Sequence, residues 1–240
     1  MSLDINFGND QAKFEKFLSI LKSGTKKFIV VDGVIGSGKS TLISLLEKYL
    51  NNKLNISTKA IYEPVDLWNK SGALKYFYED IDKNCYEFQT FTYITRIESV
   101  INEVVDNEEC EIFILERSIW TDRYIFMELL REKVGPLRME MYNKWCDIWA
   151  YIMPLKIDKW VLLDTTLDIS LDRIVSRNRN GEDGISFEYQ KELYNKHLEF
   201  FNKLKNDGKK TVIIPGELMD VNFIEDNLTL EKIVNMIIKD

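Results

Sequence analysis

A chain of 240 residues, 45% of them apolar, can bury one sizeable core, which excludes global disorder. The formal net charge of −7 excludes a broad nucleic-acid-binding face, yet leaves room for the few local cations that a nucleotide requires. One histidine, His197, and three cysteines without CxxC spacing (Cys85, Cys110, Cys146) exclude His-based metal sites and Ser–His triads. Carboxylates are left as the acid–base groups, and reduced thiols are expected.

In chain order, residues 1–25 read as an N-terminal helical extension, followed by a strand at 27–32 (KFIVVD) and a helix at 39–50. A strand at 56–62 and a helix at 86–105 come next, then a strand at 111–115 and helices at 120–132 and 138–153. A strand at 159–163, helices at 167–176 and 187–205, and a strand at 211–215 complete the pattern. Short β-branched runs alternating with longer amphipathic segments predict an α/β fold with a parallel sheet wrapped by helices. Four prolines, no Gly/Ser-rich linker and no internal repeat predict a single domain over 1–240. No apolar run reaches the length of a membrane span, and the polar N-terminus has neither a secretory core nor an Arg-rich transit pattern. The cytoplasm is the expected location, no membrane partner is expected, and the sequons at Asn55 and Asn227 read as chance matches.

Residues 33–40 read GVIGSGKS and satisfy G-x-x-x-x-G-K-[ST], between a strand and an apolar-periodic helix. Glycines let backbone amides turn inward on phosphates, and the helix N-terminus adds partial positive charge. Gly33, Gly36, Ser37, Gly38, Lys39, Ser40 and Thr41 are the candidate ATP-phosphate contacts. Lys39 would bridge the terminal phosphates and the Ser40 hydroxyl would ligate Mg²⁺. The plainer alternative is a Gly-rich strand–helix turn with no ligand. The motif points to a nucleotide but not to a particular reaction.

Four further segments bear on the reaction: Glu63-Pro64-Val65 with Trp68; Tyr78 with Phe88-Gln89; Glu116-Arg117-Ser118; and Arg173, Arg177 and Arg179 running into NGEDG at 180–184. Glu63 closes the second strand, at the sheet edge where α/β ligands bind, and can accept a hydroxyl proton. Alone it would read as an exposed carboxylate before a turn-forming proline. Glu116 ends an apolar strand, a common place for a Mg²⁺-shell carboxylate, and Ser118 is also a candidate N-cap. The arginines suit a lid over a transferring phosphoryl group, or simply a charge-complemented helix C-terminus. Gln89 offers a donor and an acceptor side by side, suited to a base edge. Arg96 and Asp122 near a buried site stay charged only if mutually bonded; they would also serve as a structural brace, or Asp122 would bond Arg123. For Phe77, Phe88 and Phe126, core packing is the plainer alternative.

In this order and at these spacings, the segments resemble the deoxyribonucleoside kinase family, over about residues 27 to 200. The family includes deoxycytidine, deoxyguanosine and insect multisubstrate kinases. The resemblance implies a five-stranded parallel sheet of the P-loop NTPase type, a LID loop and a helical homodimer. It implies transfer of the ATP γ-phosphoryl group to a deoxynucleoside 5′-hydroxyl, in nucleotide salvage. It gives Glu63 the role of base, places Arg117 beside it, assigns Glu116 to Mg²⁺, and puts Arg177 and Arg179 on phosphate. It also implies that Gln89 reads the base and Phe126 stacks on it, that Tyr78 and Glu182 meet the 3′-hydroxyl, and that Ile35, Trp68, Phe77 and Phe88 form pocket walls. Charged residues at Arg96 and Asp122 resemble deoxycytidine and deoxyguanosine kinases, and imply deoxycytidine or a purine deoxynucleoside over thymidine. The chain departs from the pattern in three places: Val34 and Gly36 stand where relatives often carry asparagine and alanine, residues 80–85 lack a usual proline and tryptophan, and 220–227 match an adenine-contacting segment poorly. A nucleoside monophosphate kinase, or a non-catalytic relative that kept the fold, is the alternative.

Overall fold

A computed structural model describes residues 8–177, 185–220 and 226–239. Helix α1 (Gly8–Ser23) leads to β1 (Lys27–Asp32), α2 (Lys39–Lys53) and β2 (Thr58–Ile61), then to α3 (Val65–Lys70), α4 (Ala73–Glu79) and α5 (Ile81–Asp106). After β3 (Ile112–Glu116) come α6 (Ile119–Thr121), a π-helical turn (Asp122–Phe126), α7 (Met127–Leu129), α8 (Arg131–Val134) and α9 (Pro136–Ile152). β4 (Lys159–Leu163), α10 (Leu167–Arg177), α11 (Phe187–Asn206), β5 (Thr211–Ile214), α12 (Gly216–Met219) and α13 (Asn227–Ile238) follow.

The five strands form one parallel sheet in the order β2-β3-β1-β4-β5, the expected α/β architecture. Because side chains alternate across a strand, KFIVVD feeds two cores. Phe28 and Val30 join Phe113, Leu115, Trp160 and Leu162 under α1, α5, α9 and α11. Ile29 and Val31 join Ile114, Val161 and Leu163 under α2 and α13, which bring Leu42, Leu46, Ile233 and Ile237. Both faces are covered, so the central strands are apolar throughout. Each fully buried Leu or Ile contributes roughly 1.5–3 kcal/mol of transfer free energy. Phe17 of α1 is among these buried residues, so the N-terminal helix is docked on the domain.

Several boundaries differ from the sequence expectation. β2 begins at Thr58 rather than 56, because the Asn51 side chain pins the Thr58 peptide, accepting from its N–H and donating to its carbonyl at 2.9 Å each. α5 starts five residues before 86, since the Asp80 carboxylate caps the Lys83 amide and supplies the helix entry without the missing proline. The segment expected as one helix at 120–132 is instead α6, a π-helical turn, α7 and α8. The Met127 amide reaches back to the Asp122 carbonyl, an i→i+5 bond that inserts one extra residue into the turn.

Candidate active site

From β1 the chain moves out to β2, returns at β3, then crosses to β4. The crevice at the carboxyl ends of β1 and β3 is therefore the topological switch point. The loop 33–40 fills it. Gly36 adopts φ 79°, and a Cβ there would run into the Ser170 carbonyl oxygen on α10. The loop lies hard against α10 here, which accounts for glycine in place of alanine. Thr165 Oγ1 donates to the Ser37 carbonyl from the far side at 3.0 Å. Lys39 Nζ donates to the carbonyls of Val34 (2.8 Å) and Gly33 (3.2 Å). Burial, with the Arg117 charge adding to it, pushes this amine down to about 7 against the pull of Glu116, Glu63 and Asp32. Ser40 Oγ donates to Glu116 Oε1 at 2.7 Å, which brings two oxygen atoms together on the wall that Lys39 also lines.

Glu63, just past β2, is gripped by two guanidinium groups. Arg96 Nη2 donates to its Oε1 at 2.9 Å and Arg117 Nη1 to its Oε2 at 2.7 Å. Burial raises this carboxyl, but Arg117, Arg96 and Lys39 outweigh it and hold it down at about 2. Arg117 has φ 63°, a left-handed backbone that costs a non-glycine residue on the order of 1–3 kcal/mol. Its amide donates to the Val31 carbonyl, its Nη2 to the Gly33 carbonyl at 3.1 Å, and its guanidinium lies 4.9 Å from the Phe126 ring centre.

Arg96 meets Asp122 as a bidentate pair, Nε to Oδ2 at 2.8 Å and Nη2 to Oδ1 at 3.1 Å. Its Nη1 donates to the Glu116 carbonyl at 2.9 Å. Burial pushes the Asp122 carboxyl up against the pull of Arg96, yet only the ionised form satisfies both guanidinium donors. Asp122 does not bond Arg123, which pairs with Asp147 at 2.8 Å.

A cavity of about 900 Å³ joins these groups. Ile35, Gly36, Gly38, Lys39, Ser40, Thr41, Glu63, Trp68, Phe77, Tyr78, Phe88, Gln89, Arg96, Glu116, Arg117, Asp122, Phe126 and Arg177 all line it. Phe77 stacks on Phe88 at 4.5 Å, and Trp68 stands edge-on to Phe88, its Nε1 anchored on Thr95 Oγ1 at 2.9 Å. These aromatics therefore serve as both core and wall. The buried Gln89 carboxamide bonds none of the described residues, although it faces the cavity.

A family model described as deoxynucleoside kinase matches residues 29–240. The chain belongs to the deoxynucleoside kinase family. It is 30% identical to a Fowlpox virus (strain NVSL) protein named probable deoxycytidine kinase, over 90% of this chain and 87% of that one. It is 29% identical to human deoxycytidine kinase (85% and 87% covered) and 27% identical to deoxycytidine kinase 2 of Gallus gallus (87% and 88%). The chain is thus an ATP-dependent nucleoside kinase.

The kinase brings together nearly every residue singled out in the sequence. Gly33 and Ser37 belong to the loop but do not line the cavity. Arg179, Glu182 and the tip of the expected LID loop lie outside the described residues, as do residues 221–225. Asp122 and Phe126 share the cavity, but on a π-helical turn rather than on one side of an α-helix. The Arg96–Glu63 bond was not anticipated. Sequence reasoning also missed Tyr189, which lines the cavity with its phenol pushed up to about 12 by burial, and the Asp32–His197 pair beneath the loop. A charge ending the strand KFIVVD and a histidine between Leu193 and Phe200 on a buried helical face were the available signals.

Proposed function

We propose that this kinase transfers the γ-phosphoryl group of Mg-ATP to the 5′-hydroxyl of a deoxynucleoside, in nucleotide salvage in the cytoplasm. Deoxycytidine or a purine deoxynucleoside is favoured over thymidine. The observation that carries this reading is the position of Glu63. An ionised carboxylate oriented by Arg96 and Arg117 shares one cavity with Lys39, Ser40 and Glu116. Phosphoryl transfer asks mainly for positioning and electrostatic stabilisation, so an oriented acceptor of low pKa is sufficient. Ser40 and Glu116 would hold Mg²⁺, which neutralises phosphate charge when bound. Lys39 and Arg177 provide positive charge at the phosphate end; Arg179 and Glu182 are assigned to the lid by the family resemblance.

At the other end of the cavity, Gln89 would pair with the base, Phe126 would stack on it, and Tyr78 would meet the sugar 3′-hydroxyl. The Arg96–Asp122 pair fills the wall near a pyrimidine 5-substituent, where a thymine methyl needs space. A homodimer is proposed through α9, whose Leu137 (73% exposed), Met141 (53%), Trp145 and Ile148 (52%) form one exposed apolar stripe at helical spacing. Among the described residues no helix is long and apolar enough to cross a membrane. The test is a coupled assay with Mg-ATP against four deoxynucleosides and four monophosphates. Turnover with deoxycytidine or a purine deoxynucleoside above thymidine supports the reading; turnover confined to monophosphates rejects it.

A further inference from the structure

His197 lies on α11 with its ring wholly buried. Its Nδ1 is 2.7 Å from the Leu193 carbonyl oxygen and its Nε2 is 2.9 Å from Asp32 Oδ1. A backbone carbonyl only accepts. Asp32 at the end of β1 also behaves as an acceptor: Gly33 N–H donates to its Oδ1 at 2.9 Å and Thr121 Oγ1 to its Oδ2 at 2.6 Å. The Thr121 oxygen meanwhile accepts from the Ser118 amide, which leaves its own proton for Asp32. An imidazole facing acceptors at both ring nitrogens satisfies them only when both carry hydrogen, which makes it an imidazolium.

Asp32 thus has two cationic side chains beside it. Arg117 Nε lies 3.7 Å from the same Oδ1 that meets His197, beyond hydrogen-bond range, and has no other partner among the described residues. The same guanidinium gives its short 2.7 Å bond to Glu63 instead. A buried carboxylate stripped of one partner is strongly unfavourable and recruits any cation in reach. The nearest is Arg117.

We infer that His197 is a positioning residue of this kinase: its buried ring, held between the Leu193 carbonyl and Asp32, engages the Asp32 carboxylate and so leaves the Arg117 guanidinium directed at Glu63 and the reaction cleft. The inference rests on the proposed roles of Glu63 and Arg117. Burial would raise the Asp32 carboxyl, but His197 and then Arg117 hold it well below the usual carboxylate range, in keeping with an ionised Asp32.

His197 is the sole histidine, so one imidazole signal reports the pair in the unmodified protein. With ¹⁵N-histidine label, NMR at the pH of the kinetic assay should show both ring nitrogens carrying hydrogen in the folded enzyme, as the acceptors facing them require. A neutral single tautomer there overturns the inference, whether or not any variant folds. In kinetics, His197→Gln should lower kcat by about 10–100-fold, the range seen when a partner orienting a functional side chain is lost, with both KM values nearly unchanged. Adding Asp32→Asn removes the second charge, and the double variant should recover most of that kcat. A double variant no faster than His197→Gln, or a His197→Gln enzyme of normal kcat per folded molecule and lowered Tm, reduces the pair to a structural brace. The proton-acceptor role is tested apart from this by Glu63→Gln, because recovery in the double variant reports on Arg117 whichever group takes the proton.

Discussion

Glu63 and Arg117 stand 54 positions apart in the chain and 2.7 Å apart in the cleft. The contact joins the end of β2 to the end of β3, two adjacent strands, with β1 and its phosphate loop alongside. It also explains why Arg117 tolerates a left-handed backbone: its amide, both terminal nitrogens and its ring contact are all held by different elements.

Replacing Glu63 by Gln keeps the shape and removes the acceptor. The expected result is a kcat lower by about 10²–10⁴-fold, with nucleoside KM little changed. Lys39→Ala should nearly abolish turnover for another reason, by weakening nucleotide binding and transition-state charge stabilisation. Steady-state kinetics with a separate nucleotide-binding titration distinguish the two. Near-normal kcat in Glu63→Gln removes that carboxylate from the chemistry.

The Arg96–Asp122 pair gives a sharper expectation now that Arg96 is seen to hold Glu63 as well. Arg96→Met with Asp122→Ala leaves neither charge unpaired. It should raise the thymidine to deoxycytidine ratio of kcat/KM, by up to roughly 10- to 200-fold, while absolute kcat falls because Glu63 loses one of its two orienting bonds. Arg96→Met alone strands Asp122 and should cost about 3–5 kcal/mol of stability, read as a lower Tm. An unmoved ratio in the double variant would make the pair structural only.

For α9, Trp145→Glu with Ile148→Glu places two charges in the middle of the exposed stripe. Light scattering should show a dimer for the parent protein and a monomer for this variant, with Tm little changed. A parent that is monomeric at micromolar concentration rules out the dimer.

Acid should weaken the fold partly through Glu63. Its carboxyl is depressed from the ordinary 4.5 to about 2 in the folded state. A depressed carboxyl contributes stability that is fully present above about pH 4.5 and is lost as pH falls toward about 2. The stability advantage of the parent over Glu63→Gln in urea unfolding should therefore shrink across that window. A constant difference would place the Glu63 ion pairs outside the acid response.

Much of the cleft was legible because its chemistry is written in short contiguous stretches. GVIGSGKS declares a phosphate loop by glycine content, spacing and flanking periodicity, all local properties. EPV and ERS carry less information singly, but each ends a strand, and strand ends in a parallel sheet share one edge. The departure at residues 80–85 was readable as a departure but not as a solution, because the cap that replaces the missing residues is one side-chain oxygen on one amide.

By itself the sequence determined the α/β class, the parallel sheet, the phosphate loop and the kinase family, since apolar periodicity and loop chemistry are set by near neighbours in the chain. Only the tertiary structure decided the strand order, the π-helical turn that carries Asp122 and Phe126, the sharing of Glu63 between Arg96 and Arg117, and the burial of His197 on Asp32. These depend on distances between residues tens to more than a hundred positions apart. A charged side chain is indifferent to sequence spacing: it takes whichever partner packing brings within about 3 Å once water is excluded.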